Sequence, residues 1–208
     1  MQDVARGMEY IHNTLHKLHR DLKSGNVLCT GSSVAPRVKI GDFGSIKGQF
    51  GIDNTNQRRN TMEQADIRPA SNKMTRGIGT PIYMAIEVIR CYEYDDKAEV
   101  WSYGVMLYKI ATHRIPDLLT ELPAEVVGRS RGPYLGHVLK LLEAGHRLEL
   151  SASELADQGA PGWYCGLMRQ CMLASPEERP GFADIVARFE QQGSNTIISS
   201  PTLLDDLV

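Results

Sequence analysis

The sequence predicts a mostly helical α+β domain, with a pair of short strands near its start and helices through most of the remainder. Three observations carry that prediction. Apolar residues recur at three- and four-residue spacings in segments spread along the whole chain. Two short apolar runs, NVLC and RVKI, flank TGSSVAP, whose Gly, Ser and Pro are turn chemistry, so a hairpin is expected at residues 26–40. The chain has 208 residues, 42% of them hydrophobic and 23% charged, which suffices for one sizeable core.

The elements follow in order. Val4, Met8, Ile11 and Leu15 fall on one face of an opening amphipathic helix. His12 and His16 lie four apart on that helix; with no third ligand in view, they are read as a surface face. A charged loop, HRDLKSGN, comes next, then the hairpin, then GDFGS. Residues 47–77 are polar and aperiodic and read as a mobile loop, and order returns with GTPIYMAIEVIR at 79–90.

Lys97 to His113 is apolar almost all round, so this helix is expected at the centre of the core, with Met106 and Ile110 as anchor points. Residues 114–133 read as a second loop rich in Pro, Gly and Arg. PYLGHVLKLLEAG is an amphipathic helix that stops at Gly145. PGWYCGLMRQCML is helical, SPEERP breaks it, and GFADIVARFEQQ is the last helix. Met8, Met84, Met106, Met168 and Met172 are read as core filler. The domain is drawn as residues 1–192, with a flexible tail over 193–208.

Charge and cysteine content exclude several classes. A formal net charge of −2 gives no global pull toward nucleic acid or an acidic membrane. No apolar run is long enough for a membrane span. Cys29, Cys91, Cys165 and Cys171 form no C-x-x-C pair, so they read as reduced thiols of an intracellular, cytoplasmic protein rather than as a disulfide or zinc framework.

The chemistry concentrates in two motifs. His19-Arg20-Asp21-Leu22-Lys23-Ser24-Gly25-Asn26 fits H-R-D-L-K-x-x-N, and Asp42-Phe43-Gly44 is D-F-G. GTPIYMAIE, EVWSYGV, the Cys171-Met172 pair and SPEERP follow in order. This set resembles the large, C-terminal lobe of eukaryotic protein kinases, and the resemblance runs from Met1 to about Gln192. Lys23 and GTPIYMA resemble the Ser/Thr type; DVARGMEYIH, EVWSYGVML and the Trp163 segment are similar to its tyrosine-kinase-like group.

The resemblance implies an ATP- and Mg²⁺-dependent transfer of phosphate to Ser or Thr of a protein substrate. It implies that Asp21 orients the acceptor hydroxyl and takes its proton, and that Lys23 touches the moving phosphate. Asn26 and Asp42 would hold Mg²⁺, Leu28 would lie under the adenine, and His19 and Phe43 would form the base of the stack between lobes, with Gly44 a further structural residue of the site. Glu87 and Arg179 are similar to the family's buried ion pair. Arg20 resembles the arginine that grips a phosphorylated activation segment, here residues 42–87, with Thr61, Ser71 and Thr75 as candidate phosphosites. Thr80 resembles the substrate-loop threonine.

Departures shape the expectations. Ile86 stands where the family has Pro. Glu99 stands where it has an Asp that receives backbone N–H groups of the catalytic loop, and one extra methylene requires repacking. The activation segment is long and residues 114–133 read as an insertion. No Gly-rich loop, lysine-bearing strand or partnering helix glutamate precedes residue 19, so these residues alone are expected to be inactive. Partners expected beside a protein substrate and ATP are a small lobe or another cover for the open cleft. The alternative function is a non-catalytic scaffold.

Overall fold

A computed structural model describes residues 1–31, 36–48, 81–90, 95–128, 133–151 and 161–198. Thr61, Ser71, Thr75, Thr80, Cys91 and most of the 47–77 segment lie outside the described residues.

The opening helix is α1 (Gln2–Glu9), continued by a π-helical turn over Tyr10–Thr14. Val4, Met8 and Ile11 are buried as expected. Leu15 is not, and His12 is: the Leu15 N–H bonds to the Tyr10 carbonyl five residues back, and this wider turn carries Leu15 off the apolar face. The surface reading of His12 is therefore corrected. It sits four residues after Met8, on the buried stripe.

Strand β1 (Lys17–Leu18) precedes the charged loop and pairs antiparallel with β4 (Lys47–Gly48), with Leu18 opposite Lys47. Between them lies the expected hairpin, β2 (Val27–Gly31) and β3 (Pro36–Ile40), with Val27 opposite Ile40. One two-stranded sheet thus joins the two ends of the stretch that holds both motifs, and the other forms its middle.

A 3₁₀ turn (Pro81–Tyr83) and α2 (Ile86–Ile89) lead to α3 (Asp96–Thr112). Asp95 caps α3 by accepting the N–H groups of Lys97 and Ala98 at 3.0 and 3.1 Å. Its side chains from Ala98 to Tyr108 are buried without a break, which confirms the central helix. Met106 is in the core, but Ile110 is 47% exposed, because in the last turn of α3 Ala111 takes the inward place and Ile110 faces out.

The stretch read as a loop at 114–133 contains two single-turn helices, α4 (Leu118–Glu121) and α5 (Ala124–Val127); the Asp117 carboxylate caps α4 through the Leu119 N–H. Helix α6 (Tyr134–Glu143) ends ahead of Gly145, which takes φ 91°, a conformation that favours glycine. Helix α7 (Gly162–Cys171) packs on α3, and α8 (Phe182–Ile198) packs on α1. The last helix thus runs six residues past the predicted limit at Gln192.

Gly104 leaves no room for a side chain between α3 and the end of α7. A Cβ there would meet Cys171 Cβ at 2.8 Å and Met172 Cγ at 2.9 Å. Gly104→Ala is expected to cost about 1–3 kcal/mol by overpacking, read as a lower urea midpoint with an unchanged slope.

Candidate active site

The loop between β1 and β2 is held from beneath by α3. Glu99 is 0% exposed and accepts the Arg20 N–H through Oε1. Its Oε2 meets His12 Nε2 at 2.5 Å, and His12 is only 4% exposed. Glu99 therefore reaches the loop backbone despite its extra methylene. Arg20 has φ 69°, so the backbone grip falls on a residue in the left-handed region.

His19 ties the two motifs together. Its Nδ1 accepts the Asp21 N–H at 3.4 Å, so Nε2 carries the hydrogen and donates it to the Gly41 carbonyl at 2.9 Å. The Gly41 N–H in turn donates to the Asn26 carbonyl at 2.7 Å. A Cβ on Gly41 would come within 3.2 Å of Leu28 Cδ1, so a side chain there would press on Leu28. Asp42 follows with φ 61°, and Phe43 places its ring edge-on to His19 at 5.7 Å.

Three side chains converge within the loop. Lys23 Nζ donates to Asp21 Oδ2 at 2.6 Å, and Asn26 Nδ2 donates to the same oxygen at 3.0 Å and to the Asp21 carbonyl at 2.7 Å. Two donors thus fix one carboxylate oxygen. The other, Oδ1, accepts no hydrogen bond among the described residues. With Asn26 Nδ2 committed to Asp21, its Oδ1 remains as an oxygen acceptor.

Magnesium fits this donor set in kind. It favours oxygen ligands, takes one or two side chains from the protein and fills the rest with phosphate and water. Asn26 Oδ1 and the exposed Asp42 carboxylate are such oxygens. Among the described residues, no cluster of three or more His, Cys, Asp or Glu side chains could hold a metal unaided.

Below the cleft, Arg179 is 1% exposed and grips Glu87 in two-point fashion, at 2.6 and 2.9 Å. Two guanidinium groups lie over the Trp101 ring, Arg179 at 5.1 Å and Arg147 at 5.2 Å from its centroid. Burial, followed by the charge of Arg179, lowers the pKa of Arg147.

The order of these motifs is matched by the protein kinase domain family model, which covers residues 1–188. The chain belongs to the protein kinase family. It is 31% identical over 199 residues to mitogen-activated protein kinase kinase kinase 12 of Rattus norvegicus, covering 95% of this chain and 18% of that protein. It is 33% identical over 190 residues to serine/threonine-protein kinase VIK of Arabidopsis thaliana, covering 91% of this chain and 36% of the relative. The second carries the serine/threonine name, in line with the Lys23 and GTPIYMA features, and the first fits the tyrosine-kinase-like resemblance. The kinase chain described here spans well under half the length of either.

Three residues were missed in the sequence reading of this kinase: His12, Tyr83 and Lys109. His12 had a signal, its place on the apolar stripe. Tyr83 and Lys109 meet at Ser24: the Lys109 ammonium donates to Ser24 Oγ at 2.8 Å, and Tyr83 Oη lies 3.2 Å from the same oxygen. Nothing local in the sequence announces that contact across 85 positions.

Proposed function

We propose that the chain is the catalytic lobe of an ATP- and Mg²⁺-dependent kinase that phosphorylates Ser and Thr hydroxyls of protein substrates. The observation that carries this reading is the two-donor grip of Lys23 and Asn26 on Asp21 Oδ2, which leaves Oδ1 to meet an incoming hydroxyl. A magnesium nucleotide would supply the phosphoryl group with part of its charge neutralised.

The residues of the chain do the rest. Asp21 Oδ1 orients the acceptor hydroxyl and receives its proton as the new O–P bond forms and ADP departs. Lys23, anchored on Asp21, keeps two N–H donors for the transferring phosphate. Asn26 and Asp42 would hold the metal through oxygen, and Arg20 would meet a phosphorylated activation segment. His19 and Phe43 fix the approach of Asp42.

Leu28 and Phe43 are 55% and 54% exposed, an apolar face beside the site. We assign it to the adenine and to the small lobe, or another covering partner, that would close the cleft. Without a Gly-rich cover and its Lys–Glu pair, these 208 residues alone are expected to turn over poorly. Among the described residues Cys29, Cys165 and Cys171 are free thiols, which fits an intracellular, cytoplasmic setting; no described helix is long and apolar enough to cross a membrane.

The test is acceptor identity. The protein as its cells make it, given MgATP and matched peptides with Ser, Thr or Tyr as sole acceptor, is expected to label the Ser and Thr peptides. Labelling of the Tyr peptide alone would overturn the Ser/Thr reading, and no labelling would overturn the kinase reading.

A further inference from the structure

We propose that Lys109 is a specificity residue, selecting substrates that carry an anionic side chain two or three residues from the target hydroxyl; this rests on the kinase reading above. Lys109 lies near the end of α3, half-buried, where the helix starts to leave the core. Its ammonium donates to Ser24 Oγ at 2.8 Å, and Ser24 Oγ is 3.2 Å from Tyr83 Oη. Three elements meet there: the central helix, the catalytic loop and the end of the activation segment.

The chemistry of the neighbours differs sharply. Lys23 is neutralised by Asp21 at 2.6 Å. Lys109 makes no ion pair with a carboxylate among the described residues, and its recorded partner is a neutral hydroxyl. An ammonium carries three donors, so this one retains two. A half-buried cation without a counter-charge has lost hydration and gained little in return, and an arriving anion supplies what is missing.

Reach sets which substrate residue is felt. Ser24 follows Asp21 by three residues, and three residues of chain span at most about 10 Å. An extended substrate advances about 3.3 Å per residue, so a side chain two or three positions from the hydroxyl at Asp21 can meet Lys109. A carboxylate or a phosphate suits the ammonium, and a basic side chain is repelled.

Peptide binding tests this separately from turnover. Labelled peptides with one Ser acceptor, carrying Glu, phosphoserine, Ala or Lys at the two nearby positions, are titrated by fluorescence anisotropy into the full chain. The Glu and phosphoserine peptides are expected to bind about three- to tenfold tighter than the Lys peptide. Lys109→Met should flatten the order and Lys109→Glu should reverse it. Lys140→Glu, the same charge change on exposed α6, should keep it. A gain confined to the phosphoserine peptide identifies phosphate as the selected anion; a gain for both shows that a carboxylate suffices.

If Lys109→Glu weakens every peptide equally, Lys109 is only a tether for Ser24 and the proposal fails. It fails also if Lys140→Glu reverses the order as strongly. Phosphate transfer from MgATP to the same peptides is followed with the protein as its cells make it. A retained binding order with no transfer to any peptide contradicts the kinase reading and leaves the Lys109 assignment standing.

Discussion

Asp21→Asn is expected to slow phosphoryl transfer by about 10²–10⁴-fold while leaving the fold intact. The substitution is nearly isosteric. An amide oxygen can still accept from Lys23 Nζ and from Asn26 Nδ2, the two donors that hold Oδ2 in place. What it cannot do is take up the acceptor's proton. Because Asp21 is 27% exposed in its ion pair, little stability depends on its charge. Initial rates of peptide labelling by the protein from its own cells, wild type against Asp21→Asn, check this alongside matched urea midpoints. A variant rate within threefold of wild type would remove Asp21 from its assigned role.

The second large effect falls on stability. Glu87→Ala should cost about 3–5 kcal/mol, because it removes one side of a buried pair and leaves the other charge in place. Arg179 cannot escape by losing its proton, since guanidinium stays charged in proteins. Nor can it turn toward solvent: its Nε donates to the Leu173 carbonyl at 2.8 Å and its Nη1 to the Lys97 carbonyl at 3.0 Å. Arg147 also lies over the Trp101 ring, so a second cation is close while the counter-charge is gone. Glu87→Gln keeps the shape and part of the hydrogen bonding and should fall between the two. Urea unfolding checks the order. A loss below 1 kcal/mol for Glu87→Ala would show that the pair does not hold this end of the domain.

Much of the site was legible because catalytic loops are local. His19, Asp21, Lys23 and Asn26 lie within eight residues, and the hairpin that brings Gly41 to His19 is announced by its turn chemistry. The Glu87–Arg179 contact spans 92 positions and was reached only through family resemblance. His12 was misjudged although its place four residues after Met8 puts it on the apolar stripe, and Leu15 was misjudged because an α-helical wheel leaves it on that stripe too. The π turn at Tyr10–Thr14 turns Leu15 out, a shift that side-chain periodicity does not encode, and leaves His12 against Glu99. Ile110 was misjudged for a different reason. Its hydrophobicity is right for a core, but it falls on the outer side of the last turn, where Ala111 takes the inward place. Lys109 and Tyr83 depend on three segments meeting at one hydroxyl, which only the folded chain arranges.

The most direct test of the central claim is the origin of the transferred phosphate. The protein as its cells make it is incubated with a Ser peptide, Mg²⁺ and ATP labelled either at the γ or at the α position. Label from γ-labelled ATP alone, at a rate that falls with Asp21→Asn, is the predicted result. Peptide that stays unlabelled from either nucleotide, or γ label that appears equally fast with Asp21→Asn, would contradict the account.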